Sequence, residues 1–292
     1  MLSARVAGLV AAAAAVTAVA LLKSLRWWCL YPPALRLPSW WRSFPVLMIA
    51  QALNVLIPLR IGEVVRVALM AQDDIPAGTT LSTIVVEKAV DLVAVGLLVA
   101  VALSTTALPL WFPIRSGVQM GVVGIFLFAG LAGLWSARHW FRTWVDRLVK
   151  RLRWVPERWQ GRLLQLMNDG FEGLVAITDP SMAAPVFLLT TLIWLLSVLT
   201  MLFTLAAFET NVGWHAALLL SLALYLGNFV PAPPALIGVI GAVTELTLGW
   251  FDVPRTSAAA IGLTLNVLLV GPLVLLGGVA GWIRLTRPRS GK

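Results

Sequence analysis

The chain has 292 residues, 60% of them hydrophobic and 12% charged, with a mean hydropathy of +0.90. Soluble domains carry about 25% charged residues, so a chain this apolar needs lipid as its solvent. One cysteine (Cys29) and two histidines exclude an internal disulfide and leave no paired-cysteine or histidine metal centre, and no cofactor motif is present.

Period-two alternation is weak, which argues against a β-barrel and for helices. A hydrocarbon core about 30 Å thick needs roughly 20 apolar residues per spanning helix. Five apolar runs approach or exceed that length: 6–22, 81–103, 117–135, 183–208 and 257–283. The first follows Arg5, is rich in alanine and loosely resembles a cleaved signal. The bases from Lys23 to Arg42 would resist export, so a retained first helix is expected.

Residues 26–43, RWWCLYPPALRLPSWWRS, mix Trp with Arg and Pro. Indole and guanidinium both favour the headgroup layer, so 23–43 reads as a segment lying on the membrane surface. The region 136–180 reads the same way, with eight bases against four acids between 136 and 175. The tail from Arg284 adds four more bases. The net charge of +9 is therefore placed beside apolar spans, as at a cytoplasmic membrane face, and excludes nucleic acid as a partner.

Two apolar segments are interrupted by proline. Pro58 breaks 44–71; Pro231, Pro233 and Pro234 break 214–250. Proline removes a backbone donor and clashes with the preceding turn, and carbonyls freed at bilayer depth need protein or water. Each segment is expected to be a re-entrant hairpin of two half-helices. If 44–71 crossed fully, the basic 136–175 region would fall outside. If it returns to its own side, and 214–250 enters from the other, 136–175 and the Arg284 tail both fall inside. The expected architecture is an all-α polytopic membrane bundle with about five to six full spans and two re-entrant hairpins, a single transmembrane domain over 1–292. Two such hairpins from opposite faces match an inverted repeat, although the halves share no evident sequence identity.

Ionised residues inside apolar spans are costly, by at least about 2.5–3.5 kcal/mol each. Here they gather. Arg60, Glu63 and Arg66 follow Pro58 at intervals of three, covering one side of a short helix; Gln51 and Asn54 precede it. The next helix carries Glu87, Lys88 and Asp91, with Glu87 and Asp91 on one face. Three bases against three acids can be buried as an ion-pair network that locks hairpin to helix. The same arginines could hold a lipid phosphate across a water-filled groove, since guanidinium binds phosphate bidentately. The two readings are compatible. Glu245, beyond the second break, caps a half-helix or bonds a neighbour, or else gates, titrates or receives a cationic headgroup.

The stretch NVLIPLRIGEVVRVALM followed by TIVVEKAVDLVAVGLL resembles the lysylphosphatidylglycerol synthase transmembrane family, also called the flippase-like domain family. Pro58, Arg60, Gly62, Glu63 and Arg66 fit its Pro-x-Arg-x-Gly-Glu-x-x-Arg pattern, and Glu87, Lys88 and Asp91 its Glu-Arg-x-x-Asp helix. The later PAPPALIGVIGAVTE, 231–245, resembles its Pro/Gly-rich break with a following glutamate. Lys88 departs from the usual Arg, and Pro234 and Ala235 stand where Gly-Gly is common. The resemblance covers roughly 44–283 and implies movement of a lipid or lipid-linked headgroup between leaflets.

These readings converge on a multi-pass protein of the plasma or inner membrane with a cytoplasmic C-terminus, acting as a lipid transporter on an anionic phospholipid or lipid-linked substrate. The alternative is a non-catalytic partner of envelope-lipid biosynthetic enzymes, docked through 136–175. An enzyme is not expected, because no nucleophile elbow, phosphate loop, zinc signature or soluble catalytic domain is evident. The expected headgroup-binding residues are Asn54, Arg60, Glu63, Arg66, Glu87, Lys88, Asp91 and Glu245. Transport requires that water reach them.

Overall fold

The computed structural model describes residues 6–35, 39–57, 61–106, 109, 112, 114–137, 139–140, 143, 157–174, 179–227 and 238–286. Arg60 with Pro58, the prolines at 231–234, Ala235, much of 136–180 and the tail beyond 286 lie outside the described residues. All longer described elements are α-helices: α1 (Val6–Cys29), α2 (Trp40–Leu56), α3 (Gly62–Ala71), α4 (Ala77–Thr105), α5 (Ile114–Ser136), α6 (Glu157–Gly173), α7 (Pro180–Ala207), α8 (Trp214–Gly227), α9 (Val239–Gly249) and α10 (Arg255–Thr286). Three of them, α1, α7 and α10, are long and apolar enough to cross a membrane by length and composition; α8 and α9 are shorter apolar helices. α4 has 29 residues, about 43 Å at 1.5 Å per residue.

Local chemistry sets the boundaries. α7 starts at Asp179, whose carboxylate accepts from the Ser181 N–H at 2.9 Å, with Pro180 in the first turn. α3 and α9 end alike. Asp74 and Asp252 adopt the left-handed conformation at φ 60° and 57°. The next N–H donates back five residues, Ile75 to Met70 at 3.1 Å and Val253 to Leu248 at 3.2 Å. Each such pair is buried in one apolar cluster, and Pro76 or Pro254 then opens the next helix. Both are helix stops of the Schellman kind, reached through the same Asp-(Ile/Val)-Pro sequence.

Helix α3 doubles back on α2. Asn54 Oδ1 accepts from the Gly62 N–H at 2.8 Å, and a Cβ at Gly62 would stand 2.1 Å from the Ala50 carbonyl oxygen. Only glycine allows that approach. α9 returns along α8 in the same manner, Gly227 facing Val243. α1 and α7 run antiparallel, with Gly8 beside Ala207 at one end and Arg26 beside Thr190 at the other. α5 runs back along α4 through a seam where Gly96 meets Gly121, the close backbone contact that helices in lipid use in place of a hydrophobic driving force.

The packing repeats across the chain. α2 lies on α10 and α8 on α4; α3 lies on α4 and α9 on α10. One apolar core surrounds the α2–α3 pair, a second the α8–α9 pair, and a third joins α8 to α4. α5 and α6 both pack on α4.

One expectation is corrected. The 23–43 segment does not lie wholly on the surface: α1 continues to Cys29, and Arg26, Trp27, Leu30 and Tyr31 are buried. Trp27 donates to Thr83 and Tyr31 to Thr80, each at 3.2 Å, so these two of the segment's aromatics are core residues tied to α4. Trp41, at the start of α2, is exposed.

Candidate functional site

The ionised residues of α1, α3 and α4 form one line of alternating charge. Arg26 of α1 grips Asp91 with two parallel bonds, Nη1 to Oδ1 at 2.5 Å and Nη2 to Oδ2 at 3.1 Å. Its Nη2 also reaches Glu87 Oε1 at 3.4 Å, and Nη1 reaches the Thr190 hydroxyl of α7 at 3.1 Å. Glu87 Oε2 accepts from Arg66 at 2.6 Å, Arg66 donates to Glu63 at 3.1 Å, and Lys88 closes the line on Glu63 Oε1 at 3.2 Å. The order is Asp91, Arg26, Glu87, Arg66, Glu63, Lys88. Each carboxylate oxygen has a cation.

Sequence spacing explains most of this. Glu63 and Arg66 are one turn apart on α3, and Glu63 in the first turn also complements the helix dipole. Glu87, Lys88 and Asp91 share neighbouring faces of α4. Arg66 is held from above as well, its Cζ 4.1 Å from the Trp27 ring centroid.

Exposure varies along the line. The side chains of Arg26, Arg66 and Glu87 are 1%, 3% and 8% exposed, Asp91 15%, Glu63 31% and Lys88 50%. The middle of the line is buried, its Asp91 end is partly covered and its Glu63–Lys88 end is the more open. The buried members stabilise one another, and removing one strands its neighbour's charge. The open members can meet water or a ligand.

Of the eight expected site residues, Glu63, Arg66, Glu87, Lys88 and Asp91 come together. Arg60 lies outside the described residues. Asn54 is drawn into the fold, its Oδ1 occupied by the Gly62 N–H, so α3 does not present a bare N-terminus. Glu245 belongs to the other hairpin and pairs with Arg255 at 3.0 Å, an arginine whose side chain is 90% exposed. Sequence reasoning passed over Arg26, the base that holds Asp91. Its sequence signal was weak, because an arginine beside two tryptophans after an apolar run reads as a headgroup anchor. With Arg26 in the line, Arg60 is not needed for charge balance.

Comparison with known families matches residues 1–277 to the family described as lysylphosphatidylglycerol synthase TM region. Comparison with curated proteins and with solved structures finds no match.

Proposed function

The chain belongs to the lysylphosphatidylglycerol synthase transmembrane-region family, and we propose that it is a lipid transporter that passes a headgroup between leaflets along the charged line of α3 and α4. It is a multi-pass membrane protein of a family tied to lipid metabolism or transport; the transport step is our reading. The observation that carries it is the uneven exposure of the line, buried from Arg26 through Arg66 and open at Glu63 and Lys88. A purely structural network gains nothing from an open end, because an exposed pair adds little stability.

Further support comes from the packing. Exchanging α1–α4 with α7–α10 maps the contacts among these eight helices onto one another, with α5 and α6 on α4 outside the correspondence, and the two Asp-(Ile/Val)-Pro stops fall in equivalent places. We read this as an inverted repeat of five full spans, α1, α4, α5, α7 and α10, with re-entrant hairpins at α2–α3 and α8–α9. Rocking of one half against the other would then expose the line to each leaflet in turn. Arg284 donates to Asp73 Oδ2 at 2.6 Å and to the Leu69 carbonyl, which sets the C-terminal turn of α10 beside the α3–α4 turn. By the distribution of bases we take that face to be cytoplasmic and the membrane to be the plasma membrane. No catalytic role is proposed for the carboxylates, since each is neutralised by a neighbour.

The test is lipid transfer by purified full-length protein in liposomes, followed with labelled phospholipids of several headgroups. Wild-type protein should accelerate transfer, and Glu63→Gln, at the open end, should lower the rate while the protein stays folded. If the wild-type chain moves none of the lipids, the proposal is wrong.

A further inference from the structure

The charged line uses every oxygen it owns. Both oxygens of Asp91 are taken by Arg26, those of Glu87 by Arg26 and Arg66, and those of Glu63 by Arg66 and Lys88. A fourth cation stands beside it. Lys23 lies one turn before Arg26 on α1, half-buried, within electrostatic reach of Asp91, Arg26, Lys88 and Glu87. Among the described residues its amine has neither a hydrogen bond nor an ion pair. Two further donors are unmet, the Nε atoms of the buried Arg26 and Arg66. With Lys23 protonated, the described residues of the cluster hold four cations against three carboxylates, and a surplus charge within an apolar span is costly unless something neutralises it.

We propose that Lys23, with the half-exposed Lys88, holds a phosphate group bearing one net negative charge, such as the phosphodiester of a lipid headgroup. This rests on the transport reading and names its substrate class. Ammonium groups bind phosphate as point charges and tolerate varied geometry, which suits a ligand that must arrive and leave. One negative charge restores neutrality without disturbing any bond of the existing line. A cationic headgroup would meet an ammonium in place of a free carboxylate oxygen. Lys23 is on this view the residue that selects charge, while Arg26 and Arg66 hold the frame.

The experiment measures binding of fluorescent short-chain phosphatidylglycerol to the full chain in phosphatidylcholine nanodiscs, with inorganic phosphate as competitor. Loss of one charge-assisted contact should weaken phosphatidylglycerol binding about tenfold in Lys23→Gln. Lys23→Arg should keep most of the affinity, and Lys88→Gln should also weaken it. Competition by millimolar phosphate would identify a free phosphate as an acceptable source; its failure would restrict the site to the lipid. Equal affinity in wild type and Lys23→Gln overturns the proposal. Should Lys23→Gln not fold, Lys88→Gln and Lys23→Arg decide by the same readout. Binding that depends on Lys23 without leaflet transfer of any lipid would end the transport reading and leave this site standing. Transfer by wild type, with Lys23→Gln binding undiminished, would do the reverse.

Discussion

The two hairpins share a frame and differ in content. α3 and α9 each fold back on the preceding helix, end in a left-handed aspartate, and pass through Ile-Pro or Val-Pro into a long helix. Aligned on those aspartates, Glu63 corresponds to Gly241, Arg66 to Thr244, Glu87 to Leu265, Lys88 to Asn266 and Asp91 to Leu269. Where the first hairpin has ions, the second has a buried threonine bonded to its own helix at 2.7 Å and a tight approach of Gly262 to Gly241. The same fold-back is therefore built without a buried ion pair, its one pair, Glu245 with Arg255, being exposed. Buried ions are thus no general requirement of this fold-back, and the proposed transport role would give their insertion cost a use.

The largest expected effect comes from stripping the first hairpin of one ion. Arg66→Leu leaves Glu87 buried with only the 3.4 Å bond to Arg26, and should cost about 3–5 kcal/mol of stability. Adding Glu87→Leu, the residue the second half already uses at Leu265, should recover much of that loss while abolishing lipid transfer. Thermal unfolding in detergent and transfer in liposomes read the two outcomes separately. A recovered protein that still moves lipid at the wild-type rate would show that the ions are structural after all.

The same comparison shows why the first site was legible in sequence and the second was not. Charges stand out against an apolar background, so Glu63, Arg66, Glu87, Lys88 and Asp91 identified themselves by composition and helical spacing. Proline marked both breaks. Arg26 was hidden because its partner Asp91 is 65 residues away and its neighbours Trp27 and Trp28 mimic a membrane-interface belt. Asn54 was visible as polar, but its work as a cap for Gly62 depends on the chain turning back over eight residues. The correspondence of the halves was hidden because packing contacts are kept while residue identity is not: Leu265 and Glu87 fill equivalent places with opposite chemistry.

A smaller effect separates the two hairpins by shape alone. An added methyl at Gly62 meets the Ala50 carbonyl oxygen at 2.1 Å and Asn54 at 2.5 Å, whereas at Gly241 it meets nothing within 4 Å. Gly62→Ala should therefore cost about 1–3 kcal/mol by overpacking and loss of the Asn54 bond, with Gly241→Ala close to neutral. Unfolding midpoints of the two variants check this directly. Equal costs would mean that the α2–α3 contact at Gly62 is no tighter than the open flank of α9 at Gly241.

The smallest effect is expected at Glu245, the one charged candidate of the second hairpin. It joins the last turns of α9 to the start of α10 through Arg255, whose side chain is almost fully exposed. An exposed pair of this kind contributes roughly 0–1 kcal/mol, so Glu245→Gln should shift stability by no more than that. Its effect on transfer decides more. If the second hairpin serves as a passive, uncharged counterpart, Glu245→Gln should leave the transfer rate within about a factor of two, the change that a few tenths of a kcal/mol produces. A collapse of transfer in a stable Glu245→Gln protein would place a second working charge in the half that otherwise lacks them. The charged and uncharged hairpins would then have to be treated as two stations of one path.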